Sequence, residues 1–226
     1  MYFNNKKLST GCKELDNIIN GGFSAGEVCL IFGERGSGKT TLVFQTIIKA
    51  AINGNKSLLI FTEPYVALKR LEEIAKEKWM EINERILIST IKSFQDQELL
   101  IDNLELIMED IKIFAFDSIT SYYRLALKER SNENIILNKK LNRELALIKY
   151  LTMKRNLFTI LTSDITSPSG KLQYQPIAAK ILTYWCDKIL KIEKLLGNKR
   201  IIYLEKPYSN LSCIVRIEEE GIIDNI

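Results

Sequence analysis

The sequence predicts an α/β domain with a mostly parallel central sheet, flanked by helices and followed by a C-terminal antiparallel meander. Three observations carry this. Short apolar runs rich in Ile, Leu and Val alternate with longer amphipathic stretches, and continuous rather than alternating runs mark strands covered on both faces. A glycine-rich stretch, GERGSGKTT at 33–41, separates one such run from an amphipathic stretch. Beyond about residue 180 the apolar runs draw together with turn residues between them, which is the rhythm of neighbouring antiparallel strands.

In chain order, the parallel strands are expected at 28–32, 58–62, 86–89, 111–117 and 157–163. A helix over 40–52 places Leu42, Ile47, Ile48 and Ala51 on its apolar side, and Asn53-Gly54-Asn55 supplies a stop. A second helix near 68–78 carries Leu68, Leu71, Ile74 and Ala75 at helical spacing, and a third near 136–154 carries Leu137, Leu141, Leu145, Ile148 and Leu151. All three stripes read as core. The meander is expected at 188–192, 200–204 and 212–217. Neither a Pro/Gly-rich linker nor a repeat divides the chain, so one domain over 1–226 is expected.

Of 226 residues, 46% are apolar and 27% charged, the balance of an ordinary globular protein. The net charge of +4 permits an acidic partner without requiring one. Histidine is absent, which excludes Ser-His-Asp, Cys-His and His-ligated metal chemistry. Four cysteines without a C-x-x-C pair spell neither a zinc cage nor a disulfide framework, and a reducing cytoplasm fits them. The opening MYFNNKKLSTG has no apolar leader, and no run approaches the ~20 apolar residues of a membrane span. Catalysis must therefore run on carboxylates, lysine, hydroxyls and a bound ion.

The stretch at 33–41 supplies such a site. Gly33, Glu34, Arg35, Gly36, Ser37, Gly38, Lys39, Thr40 and Thr41 follow G-x-x-x-x-G-K-[ST], in which successive backbone N–H groups wrap a phosphate that a bulky Cβ would hold off. The following helix adds its N-terminal N–H groups. Lys39 is expected on the β and γ phosphates of ATP and the Thr40 hydroxyl on Mg²⁺. Asp117, closing the apolar strand IKIFAFD, is the expected carboxylate for the metal, although an Asp there could instead cap a helix. Glu63, after LLIFT, ends another strand and is the candidate to orient water.

On these residues the chain resembles the RecA-like recombinase ATPases, a single P-loop RecA-like core. LSTGCKELDNIINGGFSAGEVCLIFGERGSGKT is similar to that family's entry into the phosphate loop. TEPYVALKRLEEIA looks like its T-E-G segment, FDSITSYYRLALKER its strand end and first DNA loop, and TILTSD a T-N-Q strand end. QYQPIAAKILTYWCDKILKIEK resembles the region after the second DNA loop, and EKPYSNLSCIVRIEEEGI is similar to the archaeal RadA-paralog branch that includes RadB.

The resemblance implies a water-activating role for Glu63 and stacking of Arg70 on adenine, for which a planar guanidinium is suited. It places Arg124, Lys128 and Arg130 in the first DNA loop, and Lys171, Gln173 and Tyr174 in the second. Cations there would neutralise phosphates and Tyr174 would stack a base, single strands being the expected form. Three positions depart from the family. Asp164 stands where a glutamine usually senses the γ-phosphate, Pro64 replaces a glycine, and Lys206 alone remains of a basic cluster reaching a neighbouring subunit's nucleotide. The preceding helical DNA-binding domain and polymerisation motif are also missing, so filaments are not expected. The implied role is a Mg-ATP- and DNA-binding paralog or mediator beside the main recombinase, RadA-like, or other repair proteins, with slow hydrolysis and no membrane partner. Two alternatives stay open: a KaiC-like regulatory ATPase signalling through protein partners, and an ATP-binding module without turnover.

Overall fold

The continuous apolar runs become strands sealed on both faces. The computed structural model describes residues 6–62, 67–128, 132–166 and 174–225. A short antiparallel pair, β1 (Lys7–Leu8) and β2 (Phe23–Ser24), brackets α1 (Lys13–Ile18). Next come β3 (Val28–Gly33), α2 (Lys39–Ile52), β4 (Lys56–Phe61) and α3 (Ala67–Ala75). A 3₁₀ turn, α4 (Trp79–Ile82) and a second 3₁₀ turn lead to β5 (Ile86–Thr90), then α5 (Phe94–Asp102) and α6 (Leu104–Ile107). β6 (Ile111–Asp117), α7 (Ser121–Ala126), α8 (Glu133–Arg155) and β7 (Phe158–Ser163) follow. The remainder is β8 (Ile165–Thr166), β9 (Gln175–Pro176), α9 (Ala179–Trp185), β10 (Lys188–Lys194), β11 (Lys199–Lys206), β12 (Ser212–Glu218) and β13 (Gly221–Asp224).

One nine-stranded sheet runs in the order β13-β12-β11-β10-β3-β7-β6-β4-β5. From β10 to β5 every neighbour is parallel, and from β10 to β13 every neighbour is antiparallel. The meander thus continues the parallel sheet beyond its loop-bearing strand instead of standing apart from it. Because side chains alternate along a strand, β3 feeds two cores. Cys29 and Ile31 join Leu42, Phe44 and Ile47 of α2, while Val28, Leu30 and Phe32 join Leu141, Leu145 and Ile148 of α8. Each such fully buried Leu, Ile or Phe stabilises the fold by about 1.5–3 kcal/mol.

The expected stripes hold with one correction. Leu71, Ile74 and Ala75 of α3 are buried, but Leu68 is 54% exposed, one turn too early to face α2. That helix also ends at Ala75 rather than Lys78, because Lys76 turns to φ +49°, a conformation that stops an α-helix. All four cysteines are free and buried; burial pushes the thiols of Cys12, Cys186 and Cys213 up to about 12, so they stay protonated packing groups.

α8 also buries a carboxyl group that its charged neighbours conceal in the sequence. Glu144 is 1% exposed, and Gln97 Nε2 of α5 donates to its Oε2 at 2.7 Å and to the Ile119 carbonyl at 3.2 Å. Its Oε1 has no partner among the described residues. Burial raises the Glu144 pKa to about 8; the Gln97 bond lowers it, Glu98 and Asp102 raise it, and Arg143 lowers it. The unfolded chain releases this proton near 4.5 and the folded chain near 8. Stability from this group is therefore complete below 4.5 and falls as pH rises to about 8, by about 1.4 kcal/mol per pH unit. Glu144→Gln should abolish that slope: melting temperatures of variant and wild type should agree near pH 5, with the variant higher by several degrees at pH 9.

Candidate functional site

Parallel pairing brings the carboxyl ends of β3, β4, β6 and β7 to one edge of the sheet, where ligands of open α/β sheets bind. The end of β3 and the loop after it need glycine at two points. A Cβ on Gly33 would lie 2.3 Å from the Ile192 carbonyl oxygen of β10, while Gly38 has φ +106° and its Cβ would meet Ile217 Cδ1 at 2.6 Å. Gly38 is the N-cap of α2, which has neither a side-chain cap nor an acidic residue in its first turn. Its leading N–H groups are thus left to a ligand. Ser37 Oγ, inside the loop, is buried without a partner among the described residues.

Lys39 folds back under this loop. Its ammonium donates to the carbonyls of Gly33 at 2.9 Å and Glu34 at 3.0 Å, and lies 2.9 Å from Asp164 Oδ1. Thr40 Oγ1 donates to Asp117 Oδ2, and Thr162 Oγ1 of β7 to Asp117 Oδ1, both at 2.5 Å. Burial raises the Asp117 pKa, opposed by those two hydroxyls and by Lys39. The hydroxyls of Ser118, Thr120 and Ser163 form a chain, at 3.2 and 2.9 Å, from the end of β6 to that of β7. Ser163 Oγ then donates to the Asp164 carbonyl at 2.9 Å.

A cavity of about 310 Å³ opens here. Arg35, Gly36, Lys39 and Thr40 line the loop side. Thr62, Asp117, Ser121 and Asp164 line the rest of it, from the ends of β4, β6 and β7 and the start of α7. An unfilled helix start, an orphaned hydroxyl and an ammonium suit a polyphosphate; a hydroxyl beside a carboxylate suits Mg²⁺. The predicted Gly33, Glu34, Ser37, Gly38 and Thr41 belong to the same loop and first helical turn.

The other predicted residues are more scattered. Arg70 does not line the cavity; its guanidinium donates to the carbonyls of Glu218 at 2.9 Å and Glu219 at 3.0 Å. It thereby anchors the turn that follows β12, the strand whose Ile217 lies against Gly38. Arg124 is exposed on α7. Lys128 is also exposed, but its ammonium pairs with Glu133 at 2.6 Å. Tyr174 sits with Gly33, Glu34 and Lys191 around a second cavity of about 250 Å³. Lys206 donates to the carbonyls of Thr183 at 2.8 Å and Cys186 at 2.6 Å, within its own chain. Glu63, Pro64, Arg130, Lys171 and Gln173 lie outside the described residues.

Two contributors escaped sequence reasoning. Arg200 of β11 donates to the carbonyls of Ser37 at 3.2 Å and Gly36 at 3.4 Å, bracing the loop from outside. Thr162 holds Asp117; its only sequence signal was a hydroxyl at the end of TILTSD.

A glycine-rich loop between the central parallel strand and a long helix, meeting an aspartate at the end of β6, one strand further along the sheet beyond β7, defines a RecA-like P-loop core. A Rad51 family profile matches residues 4–225, and the chain belongs to the Rad51 family. It is 32% identical over 221 residues to a DNA repair and recombination protein RadB of Methanococcoides burtonii, covering 96% of this chain and 97% of that one. A RadB of Thermococcus kodakarensis is 31% identical over 225 residues, covering 96% and 99%. A third, from Methanosphaera stadtmanae, is 33% identical over 198 residues, covering 85% and 84%.

The close approach at Gly33 is testable without any ligand. Gly33→Ala should lower unfolding stability by roughly 1–3 kcal/mol, since the opposing atom is a backbone carbonyl in a paired strand. Chemical denaturation of the two proteins measures it.

Proposed function

We propose that the chain is a RadB-like Mg-ATP- and DNA-binding protein of recombinational repair, working in the cytoplasm beside a RadA-like recombinase and turning ATP over slowly. The meeting of Lys39, Thr40 and Asp117 in one cavity at the start of α2 carries the proposal. The loop amides and Lys39 hold the phosphates, while Thr40 and Asp117 hold the metal. Bound Mg²⁺ would neutralise charge developing on the terminal phosphoryl group. Glu63, directly after the cavity residue Thr62, orients the attacking water. Arg70 keeps its assigned role beside adenine. Arg124, Lys128, Arg130, Lys171, Gln173 and Tyr174 are assigned to DNA, preferentially single-stranded, on a single core spanning 1–226.

One observation favours a second reading, nucleotide binding without turnover: the Lys39 ammonium is already paired with Asp164. Phosphate release separates the readings. Stimulation by single-stranded DNA, lost in Glu63→Gln, supports the first, whereas no release with retained ATP binding supports the second.

Lys39→Ala should weaken ATP binding by roughly a hundredfold, about 2.7 kcal/mol, in calorimetry; unchanged affinity would remove the site from the proposal. Replacing Arg124, Lys128 and Lys171 together should reduce the slope of log affinity against log salt for single-stranded DNA by about 2. An unaltered slope would remove those segments.

A further inference from the structure

A lysine ammonium has three hydrogens to donate, and those of Lys39 face three acceptors. The Gly33 and Glu34 carbonyls take two, and the Asp164 carboxylate closes the third side at 2.9 Å. Asp164 reaches this position from a fixed backbone: its carbonyl accepts from the Ile177 amide at 3.0 Å and from Ser163 Oγ at 2.9 Å. The next two residues begin the β8–β9 pair. Its side chain is 38% exposed against 8% for Lys39, so the carboxylate forms the cavity side of the pair.

The cavity is therefore divided in charge. Loop amides line one end, where the inner phosphates of a nucleotide belong. Directly beside Thr40 and Lys39 the lining holds two carboxylates, Asp117 and Asp164. Asp117 is answered by Thr40 and Thr162. Asp164 is answered by Lys39, the cation that a terminal phosphoryl group also requires. A nucleoside triphosphate brings a dianionic terminus against Asp164 and into competition for the same ammonium. A nucleoside diphosphate also calls on Lys39 through its β-phosphate, but it brings no third phosphoryl group against the Asp164 carboxylate.

We propose that Asp164 is a specificity-determining residue that makes this site prefer nucleoside diphosphates to triphosphates, its carboxylate standing on Lys39 where a terminal phosphoryl group would. The inference rests on the nucleotide-binding reading above and adds an opposite preference to the one expected of a triphosphate-driven site.

Calorimetric titration of the full chain with ADP and with a non-hydrolysable ATP analogue, both in Mg²⁺, tests it. The wild type should bind the diphosphate at least tenfold more tightly, about 1.4 kcal/mol. Asp164→Asn and Asp164→Ala should each bring the two affinities within threefold, chiefly by raising that for the triphosphate. Equal affinities in the wild type, or a preference for the triphosphate, would overturn the inference, and this comparison needs no variant. A ratio unmoved in variants that melt within a few degrees of wild type would also overturn it. In both cases diphosphate binding would leave the nucleotide site standing. Failure of the wild type to bind either nucleotide would overturn the site itself and this inference with it.

Discussion

The Lys39 ammonium is a full charge drawn almost out of water, and it must be met by acceptors on every side. Two of those acceptors are carbonyls of the loop it belongs to, so the lysine fixes the curl of its own backbone. That curl needs Gly33 tight against β10 and Gly38 against Ile217, which places the β10–β13 meander directly behind the loop. The meander thus backs the loop without lining its cavity, and the Rad51 family match runs through it to residue 225.

Asp117 ties the other half together in the same manner. Its two oxygens accept from α2 and β7, while its carbonyl accepts from the Thr62 amide at the end of β4. Three elements thus meet on one buried residue, where low dielectric strengthens each bond and makes an unpaired oxygen costly. The sheet supplies the coarse convergence of strand ends, and this hydrogen-bonded set the fine one.

Much of this was legible in the sequence because it is local. Continuous runs such as VCLIF and IKIFAF announce two-sided burial, the loop has a fixed spacing, and Asp117 stands where an apolar strand stops. What stayed hidden depends on contacts distant in the chain. Helical periodicity finds Leu71 and Ile74 but cannot tell that Leu68 overshoots the edge of its neighbour. Glu144 sits among charged residues and reads as solvated, yet Gln97 of another helix claims it. Asp164 reads as a mismatched anion; its pairing with Lys39 emerges only once β3 and β7 are adjacent. Arg200 shows in sequence as one charge in a strand, with nothing to indicate the loop it braces.

Arg200 also grips the carbonyl of Gly197 at 3.1 Å, in the turn joining β10 to β11, where Leu196 projects into solvent at 93% exposure. The same guanidinium holds the carbonyls of Gly36 and Ser37. A single planar group thus ties an outer hydrophobic knob to the glycine-rich loop, a link between surface and site that runs along one side chain and through neither core.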